Sequence, residues 1–236
     1  MCKVVRRGYF PSDQKEFIDN NLDKLYNAGK DLYYLLNHGY KIKGASVFVG
    51  NHYLLSERQR LALTRGISSE KNIKIRKDKE VNINIENSIV NIDGFNTIIT
   101  LEVALSNSLL VKCMDGTYRD LAGLRGTYGI IDKTKDAILN IGSVLEKNKI
   151  KKANFYLDSP VSNSGNLKKK IEELLKNFSF EVEVFNISNV DVTLEKLENV
   201  ISSDALILDK CKSWINLNKE IIEKNMENNF YVDFNL

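Results

Sequence analysis

Residues 89–94 read Ile-Val-Asn-Ile-Asp-Gly, a short apolar run that ends in an aspartate and a glycine. An aspartate also ends the runs Asn154–Asp158 and Asn199–Asp204, and Phe180–Phe185 is a fourth strand candidate. Stretches with helical periodicity separate these runs, at about 133–145, 167–175, 193–197 and 214–226. Short apolar strands that alternate with amphipathic helices are typical of βαβ crossovers. We therefore expect an α/β fold with a parallel sheet flanked by helices.

The front of the chain has a different pattern. From Ser12 to about Asn37, leucines and aromatic residues recur every three or four positions, which predicts helix. A further helix is expected to begin at Ser56, whose hydroxyl would cap it. Alternation with period two at 81–86 indicates an additional hairpin or edge strand. The predicted divisions are a basic helical module over 1–66, a linker or edge segment over 67–80, and an α/β domain over 81–236.

The composition excludes several classes of protein. Of the 236 residues, 43% are hydrophobic and 28% are charged, which is typical of globular proteins and not of disordered chains. No apolar run approaches the ~18 residues of a membrane-spanning helix, and no apolar segment follows the basic N-terminus. The 3 cysteines are scattered and do not form a disulfide framework. We expect a cytoplasmic protein that does not associate with membranes.

Charge is distributed unevenly along the chain. Residues 1–80 contain 16 lysines and arginines against 9 aspartates and glutamates, whereas residues 81–236 contain 18 against 22. This asymmetry suggests an anionic partner that one part binds and the other part processes, although an ordinary solvated surface explains it equally well. In the first interpretation, Arg58, Arg60 and Arg65 contact nucleic-acid phosphates.

Three strand candidates end in an aspartate, namely Asp93, Asp158 and Asp204. The carboxyl ends of parallel strands share one edge of a sheet, adjacent strands lie ~4.8 Å apart, and ligands bind at that edge. Clustered carboxylates require a cation or raised pKa values, and oxygen ligands suit Mg²⁺ or Mn²⁺. For any one of these aspartates, capping of the following helix is the favoured interpretation. The three together favour a metal site able to support phosphodiester hydrolysis.

The same residues resemble a known group of enzymes. Ile92–Asn96 is similar to the Asp-Gly-aromatic-Asn signature of the PIN-like and NYN nuclease superfamily. Phe155–Ser159 resembles its central strand, Ser202–Asp204 resembles its later strand end, and Asp191 stands where NYN-type members place another acidic ligand. The resemblance covers about residues 89–210. Taken whole, the chain also resembles an uncharacterised archaeal and bacterial family with a helical front module.

The resemblance implies a PIN-like parallel sheet and Mg²⁺- or Mn²⁺-dependent cleavage of RNA or structured nucleic acid. It also implies roles for particular residues: Asp93, Asp158, Asp204 and Asp191 as metal ligands, and Asn96 and Ser203 as groups that orient substrate or water. We therefore expect a metal-dependent nuclease, with RNA favoured over DNA as its partner.

A long segment, residues 109–129, departs from the family pattern. Its Met114–Gly116 predicts a tight hairpin turn, because Asp-Gly tolerates positive φ. The segment has two interpretations of equal weight, in which its arginines and tyrosines either contact phosphates and bases or shape and pack the turn. The residues concerned are Arg119, Arg125, Tyr118 and Tyr128, and Asp115 and Asp120 are further acidic candidates.

Two other functions remain open. A non-catalytic nucleic-acid-binding protein with a degenerate PIN-like fold would bind in a salt-sensitive way and would need no divalent ion. A phosphatase-like hydrolase is disfavoured because Asp93-Gly94-Phe95 stands where an Asp-x-Asp motif is needed. Dependence of turnover on a divalent metal separates the nuclease from the binding protein.

Overall fold

The computed structural model describes residues 5–81, 85–123, 126–225 and 230–235. Its helices, in chain order, are α1 (Asp13–Glu16), α2 (Asp19–Asn37), α3 (Ile42–His52), α4 (Glu57–Gly66), α5 (Glu70–Lys79), α6 (Gly94–Leu105), α7 (Asp132–Lys147), α8 (Ser164–Leu175), α9 (Val190–Leu194), α10 (Ala205–Lys210) and α11 (Leu217–Asn225). Its strands are β1 (Ile89–Asp93), β2 (Leu110–Lys112), β3 (Tyr118–Asp120), β4 (Lys152–Asp158), β5 (Glu181–Ile187), β6 (Val200–Ile201) and β7 (Tyr231–Asp233). Residues 82–84, in the middle of the predicted alternation at 81–86, lie outside the described residues. No helix within the described ranges is both long and apolar enough to cross a lipid bilayer.

The main sheet is parallel, with strand order β5-β4-β1-β6. This confirms the predicted α/β class, with a parallel sheet flanked by helices and a helical front. Strand β6 comprises only Val200 and Ile201, so the prediction that it extends to Asp204 is wrong. The chain leaves the sheet at Ser202 because Asp204 already caps helix α10.

One face of this sheet is fully covered. Helices α6, α7, α8 and α11 pack together and enclose a core in which Ile92, Phe155 and Ile171 have no exposed surface. On the opposite face, a smaller cluster around Trp214 packs against α9 and α10. Strand β4 buries only every second side chain, so this second face is covered in part. The contrast leaves polar side chains of β4 accessible near its carboxyl end.

A second sheet joins the helical front to the rest of the chain. It has the order β3-β2-β7, with β2 and β3 antiparallel and β7 parallel to β2. The predicted turn at Met114–Gly116 connects β2 and β3, and Gly116 has a positive φ of 82°. Its strands share one core with α1 to α4, in which Leu25, Val111 and Phe234 are fully buried. Residues from both sides of the predicted division therefore bury one another.

The segment 67–80, predicted to be a linker or edge, instead contains helix α5. Ser69 caps the helix, and α5 packs against α10. Arg76 is 2% exposed and pairs with Asp115 at 2.6 Å and Asp209 at 2.7 Å. The cationic sequence resembles a solvated segment, which is why the prediction fails. The acidic partners of Arg76 lie 39 and 133 residues away, so the local sequence does not reveal them.

Candidate active site

Asp93 ends strand β1 and begins the candidate site. It is 7% exposed, and one carboxylate oxygen, Oδ2, accepts a hydrogen bond from the Ser202 hydroxyl at 2.8 Å. Its other oxygen accepts from the Asn96 backbone N–H at 3.4 Å, so Asp93 caps helix α6. Gly94 allows the close approach of β4, because a Cβ at this position would lie 2.6 Å from Leu157 Cδ2. Asp93 is thus both the last residue of its strand, as predicted, and the cap of the following helix.

Asn96 links the first turn of α6 to the segment after β6. Its Oδ1 accepts from the Ser203 backbone N–H at 2.8 Å and from the Ser203 hydroxyl at 2.9 Å. The structure therefore brings Asn96 and Ser203 together beside Asp93. Ser202 was not predicted as a site residue, although it stands next to Ser203 and donates to Asp93. Its position directly before a predicted site serine was the available signal.

Asp204 occupies the corresponding position after β6. Its Oδ1 accepts from the backbone N–H groups of Leu206 at 2.8 Å and Ile207 at 3.3 Å, which caps helix α10. The Ser202 hydroxyl oxygen also accepts from the Asp204 N–H at 3.1 Å. Ser202 therefore links the carboxylate of Asp93 to the backbone of Asp204.

The four aspartates named from sequence influence one another electrostatically. Burial raises the pKa of Asp93 to about 7, and the charges of Asp204 and Asp191 contribute to the increase. Burial also raises the pKa of Asp191, with further contributions from Asp204 and Asp158. A cluster of carboxylates with raised pKa values is relieved either by protonation or by a cation.

The residues suit a hard cation by their chemistry. Within the described ranges, no three His, Cys, Asp or Glu side chains already form a group that would hold a metal ion. Mg²⁺, however, is usually bound through one or two carboxylates, with water and substrate phosphate as its other ligands. Asp93 and Asp204 carry such oxygens at the ends of the adjacent strands β1 and β6, and burial together with the charge of Asp204 raises the pKa of Asp93.

Arg119 supports this site from behind and does not face solvent. It is 7% exposed, and its Nε donates to the Ser203 carbonyl oxygen at 2.6 Å. Its guanidinium also pairs with the fully buried carboxylate of Asp115. Asp115 therefore belongs to an arginine network, and the predicted phosphate contact of Arg119 is wrong, because this guanidinium is committed to internal partners.

The arginines of the helical front have internal partners as well. Arg58 pairs with Asp13 at 2.8 Å and lies over the ring of Phe10, and Arg60 donates to the carbonyl oxygen of Gly50 at 2.6 Å. These contacts contradict the prediction that Arg58 and Arg60 present their guanidinium groups to phosphates. Both hold loops and helices of the front together.

The remaining predicted contacts have different outcomes. Arg65 donates to the backbone oxygen of Asp120, but its side chain is 34% exposed and its phosphate contact stays a prediction. Arg125 lies outside the described residues. Tyr118 and Tyr128 are each 2% exposed and donate hydroxyl hydrogen bonds to Glu223 and Glu102. The interpretation in which these two tyrosines stack on bases is therefore wrong, and the interpretation in which they pack inside the protein is confirmed.

Fold and site together define an α/β protein with one buried aspartate, Asp93, and more exposed aspartates at the carboxyl ends of its parallel strands. Residues 82–220 match the family model described as "Domain of unknown function (DUF5616)", so the chain belongs to that family. Residues 24–79 match a second model, "Protein of unknown function (DUF434)". The chain is also 40% identical over 199 residues to the uncharacterised protein MJ0935 of Methanocaldococcus jannaschii, which covers 83% of this chain and 95% of that protein. No solved structure matches the chain.

Proposed function

We propose that the protein is a metal-dependent nuclease that hydrolyses phosphodiester bonds at this acidic edge, with RNA as its preferred substrate. One observation carries the proposal. A buried strand-end carboxylate, Asp93, has a pKa raised to about 7 among further aspartates, at the edge where α/β proteins bind ligands. Like charges are costly to keep together unless the site binds a cation. The resemblance to PIN-like and NYN nucleases points to the same chemistry.

The proposed roles follow from the contacts. Asp93 and Asp204, with Asp158 and Asp191, would hold Mg²⁺ or Mn²⁺, which would supply positive charge to a phosphate and its attacking water. The hydrogen bond from Ser202 to one Asp93 oxygen would orient the carboxylate towards such an ion.

Two further groups would position the substrate. Asn96 and Ser203 are already joined to each other at 2.9 Å, and they would orient the substrate phosphate or the attacking water. In the same proposal, the protein acts in the cytoplasm, since the buried thiols of Cys113 and Cys211 are unpaired in the described part of the chain.

A second candidate is a non-catalytic nucleic-acid-binding protein. The observation in its favour is a row of exposed cations on helix α5, formed by Lys71, Lys74 and Lys77 at three-residue spacing. These side chains have the spacing of one helix face and suit phosphate binding. Such a protein would bind RNA equally well in the presence of EDTA.

A cleavage assay separates the two candidates. Labelled RNA and DNA would be incubated with the protein in Mg²⁺, Mn²⁺ or EDTA, beside the variants Asp93→Asn and Asp204→Asn. Asparagine also caps helices, so both variants should fold. Asp23→Asn, at an exposed position of α2, is the matched control. The nuclease proposal expects cleavage that needs metal and is lost in the two site variants alone, and cleavage unaffected by Asp93→Asn would refute it.

A further inference from the structure

A cavity of about 300 Å³ lies between the helical front and helix α10, beside the acidic edge. Tyr40, in the loop between helices α2 and α3, and Ile42, the first residue of α3, line it from one side. Leu206, in the first turn of α10, lines it from the other. These three side chains are 60%, 41% and 64% exposed, although each is large and apolar. Exposed apolar residues that converge on one cavity mark a binding surface.

The burial of helix α10 shows that Leu206 is not part of the core. Ile207 and Leu208, the two residues that follow it, have no exposed surface and belong to the cluster around Trp214. Leu206 faces the cavity instead, where Tyr40 supplies an aromatic ring. An exposed leucine and an exposed tyrosine that line the same cavity offer apolar surface on which a flat ring can pack.

The polar floor of the cavity carries little net charge. Arg76 and Arg119 contribute to the lining, but Asp115 and Asp209 neutralise both guanidinium groups. Asn72 also lines the floor, and its amide is fixed by a hydrogen bond to Asp209 at 3.2 Å. A neutral cavity with apolar walls and a fixed amide suits a neutral heterocycle with hydrogen-bonding edges better than it suits an anion.

The cavity is joined to the acidic edge through two contacts. Leu206 lines the cavity with its side chain, while its backbone N–H donates to Asp204 at 2.8 Å. Arg119 lines the cavity and donates to the carbonyl oxygen of Ser203. A ring bound in the cavity therefore lies beside the residues that would contact the phosphate.

We infer that this cavity binds one unpaired nucleobase of the strand whose phosphodiester lies at the acidic edge. The inference rests on the proposed function and extends it, because it names unpaired nucleotides as the substrate class. A base within a duplex is paired and stacked, and must leave the stack before it enters such a cavity. In this arrangement the cavity selects unpaired nucleotides, and the aspartates at the sheet edge act on the phosphodiester.

The test measures binding of a short fluorescent RNA by anisotropy in EDTA, as an unpaired strand and as a duplex. Tyr40→Ala and Leu206→Ala should each weaken binding of the unpaired strand about tenfold, since a stacking contact is worth ~1.4 kcal/mol or more. Tyr34→Ala is the matched control, because Tyr34 is 62% exposed on α2 and lines a different cavity. It should leave binding unchanged.

The outcomes distinguish this inference from the proposed function. Loss of binding in Tyr40→Ala, in a protein that cleaves nothing, would support the base site and refute the nuclease. Cleavage that needs Asp93, with wild-type affinity in Tyr40→Ala and Leu206→Ala, would refute the base site alone. Equal affinity for duplex and unpaired strand, or no binding of either, would also overturn the inference.

Discussion

Asp115 is the carboxylate that two buried arginines share, and its removal tests how helix α5 is joined to the second sheet. Its side chain is fully buried, accepts from Arg76 at 2.6 Å and pairs with Arg119. Burial alone would raise the pKa of Asp115, but Arg119 and Arg76 outweigh burial and lower it to about 2. Compared with ~3.9 in an unfolded chain, this pKa stabilises the folded protein at pH 7 by roughly 2–3 kcal/mol.

We expect Asp115→Asn to lower the free energy of unfolding at pH 7 by about 3 kcal/mol. The estimate combines the pKa difference with the cost of ~3–5 kcal/mol for breaking a buried pair, because Asn keeps the volume but leaves Arg119 without this carboxylate. The pKa of Asp115 is lower in the folded protein, so its contribution is complete above pH ~4 and declines as the pH falls toward 2. The gap between wild type and variant should therefore narrow from pH 7 to pH 3.

Urea unfolding followed by circular dichroism at both pH values measures this gap. Asp132→Asn is the control, because Asp132 has a half-exposed side chain that pairs with Lys133 at 3.3 Å. Its effect should stay below about 0.5 kcal/mol. The double variant Asp115→Asn with Arg119→Met should lose less than the sum of the two single variants. A change below about 0.5 kcal/mol in Asp115→Asn at pH 7, or an equal gap at pH 3, would refute the reasoning.

Two further predictions concern packing. Gly66→Ala should destabilise the protein by about 1–3 kcal/mol, since its Cβ would lie 2.2 Å from the Phe234 ring, whereas Gly44→Ala meets open space in α3 and should stabilise by about 0.5–1 kcal/mol. Urea unfolding of both variants checks this contrast, and an equal effect of the two would contradict it. Burial raises the pKa of the Cys113 thiol to about 11, so in a Cys2→Ser protein the thiols should react with Ellman's reagent only after unfolding. Rapid reaction of the native protein would contradict the buried position of Cys113.

Features of the fold that depend on local sequence were predictable. Strand β1 has the predicted bounds, Ile89–Asp93, because an apolar run that ends in Asp-Gly marks both the strand and the helix start. Ser56 caps α4, as predicted, and its hydroxyl oxygen accepts from the Gln59 N–H at 3.1 Å. Helix periodicity, caps and strand ends act over a few residues, so the sequence of each segment contains the information.

Features that depend on distant partners were not predictable from the same patterns. Strand β7 pairs with β2 more than a hundred residues earlier, and nothing in either short segment indicates the other. The sequence predicts Arg58 to be a phosphate ligand, because an arginine that binds phosphate and one that pairs internally look alike in sequence. Only the fold shows that Asp13 lies beside Arg58. For the candidate site, the strand ends located Asp93 and Asp204, whereas the link through Ser202 required the two strands to be adjacent.

The core shared by α1 to α4 and the second sheet has a consequence for synthesis on the ribosome. Phe234 is fully buried, its ring lies against Gly66, and it makes an edge-on contact with Tyr26 at 6.1 Å. The front helices end at Gly66, but Phe234, which helps to bury them, is synthesised more than 160 residues later. At ~5–20 residues per second, these helices wait about 10–30 seconds with apolar side chains uncovered, and during that time chaperones or other nascent chains can bind them.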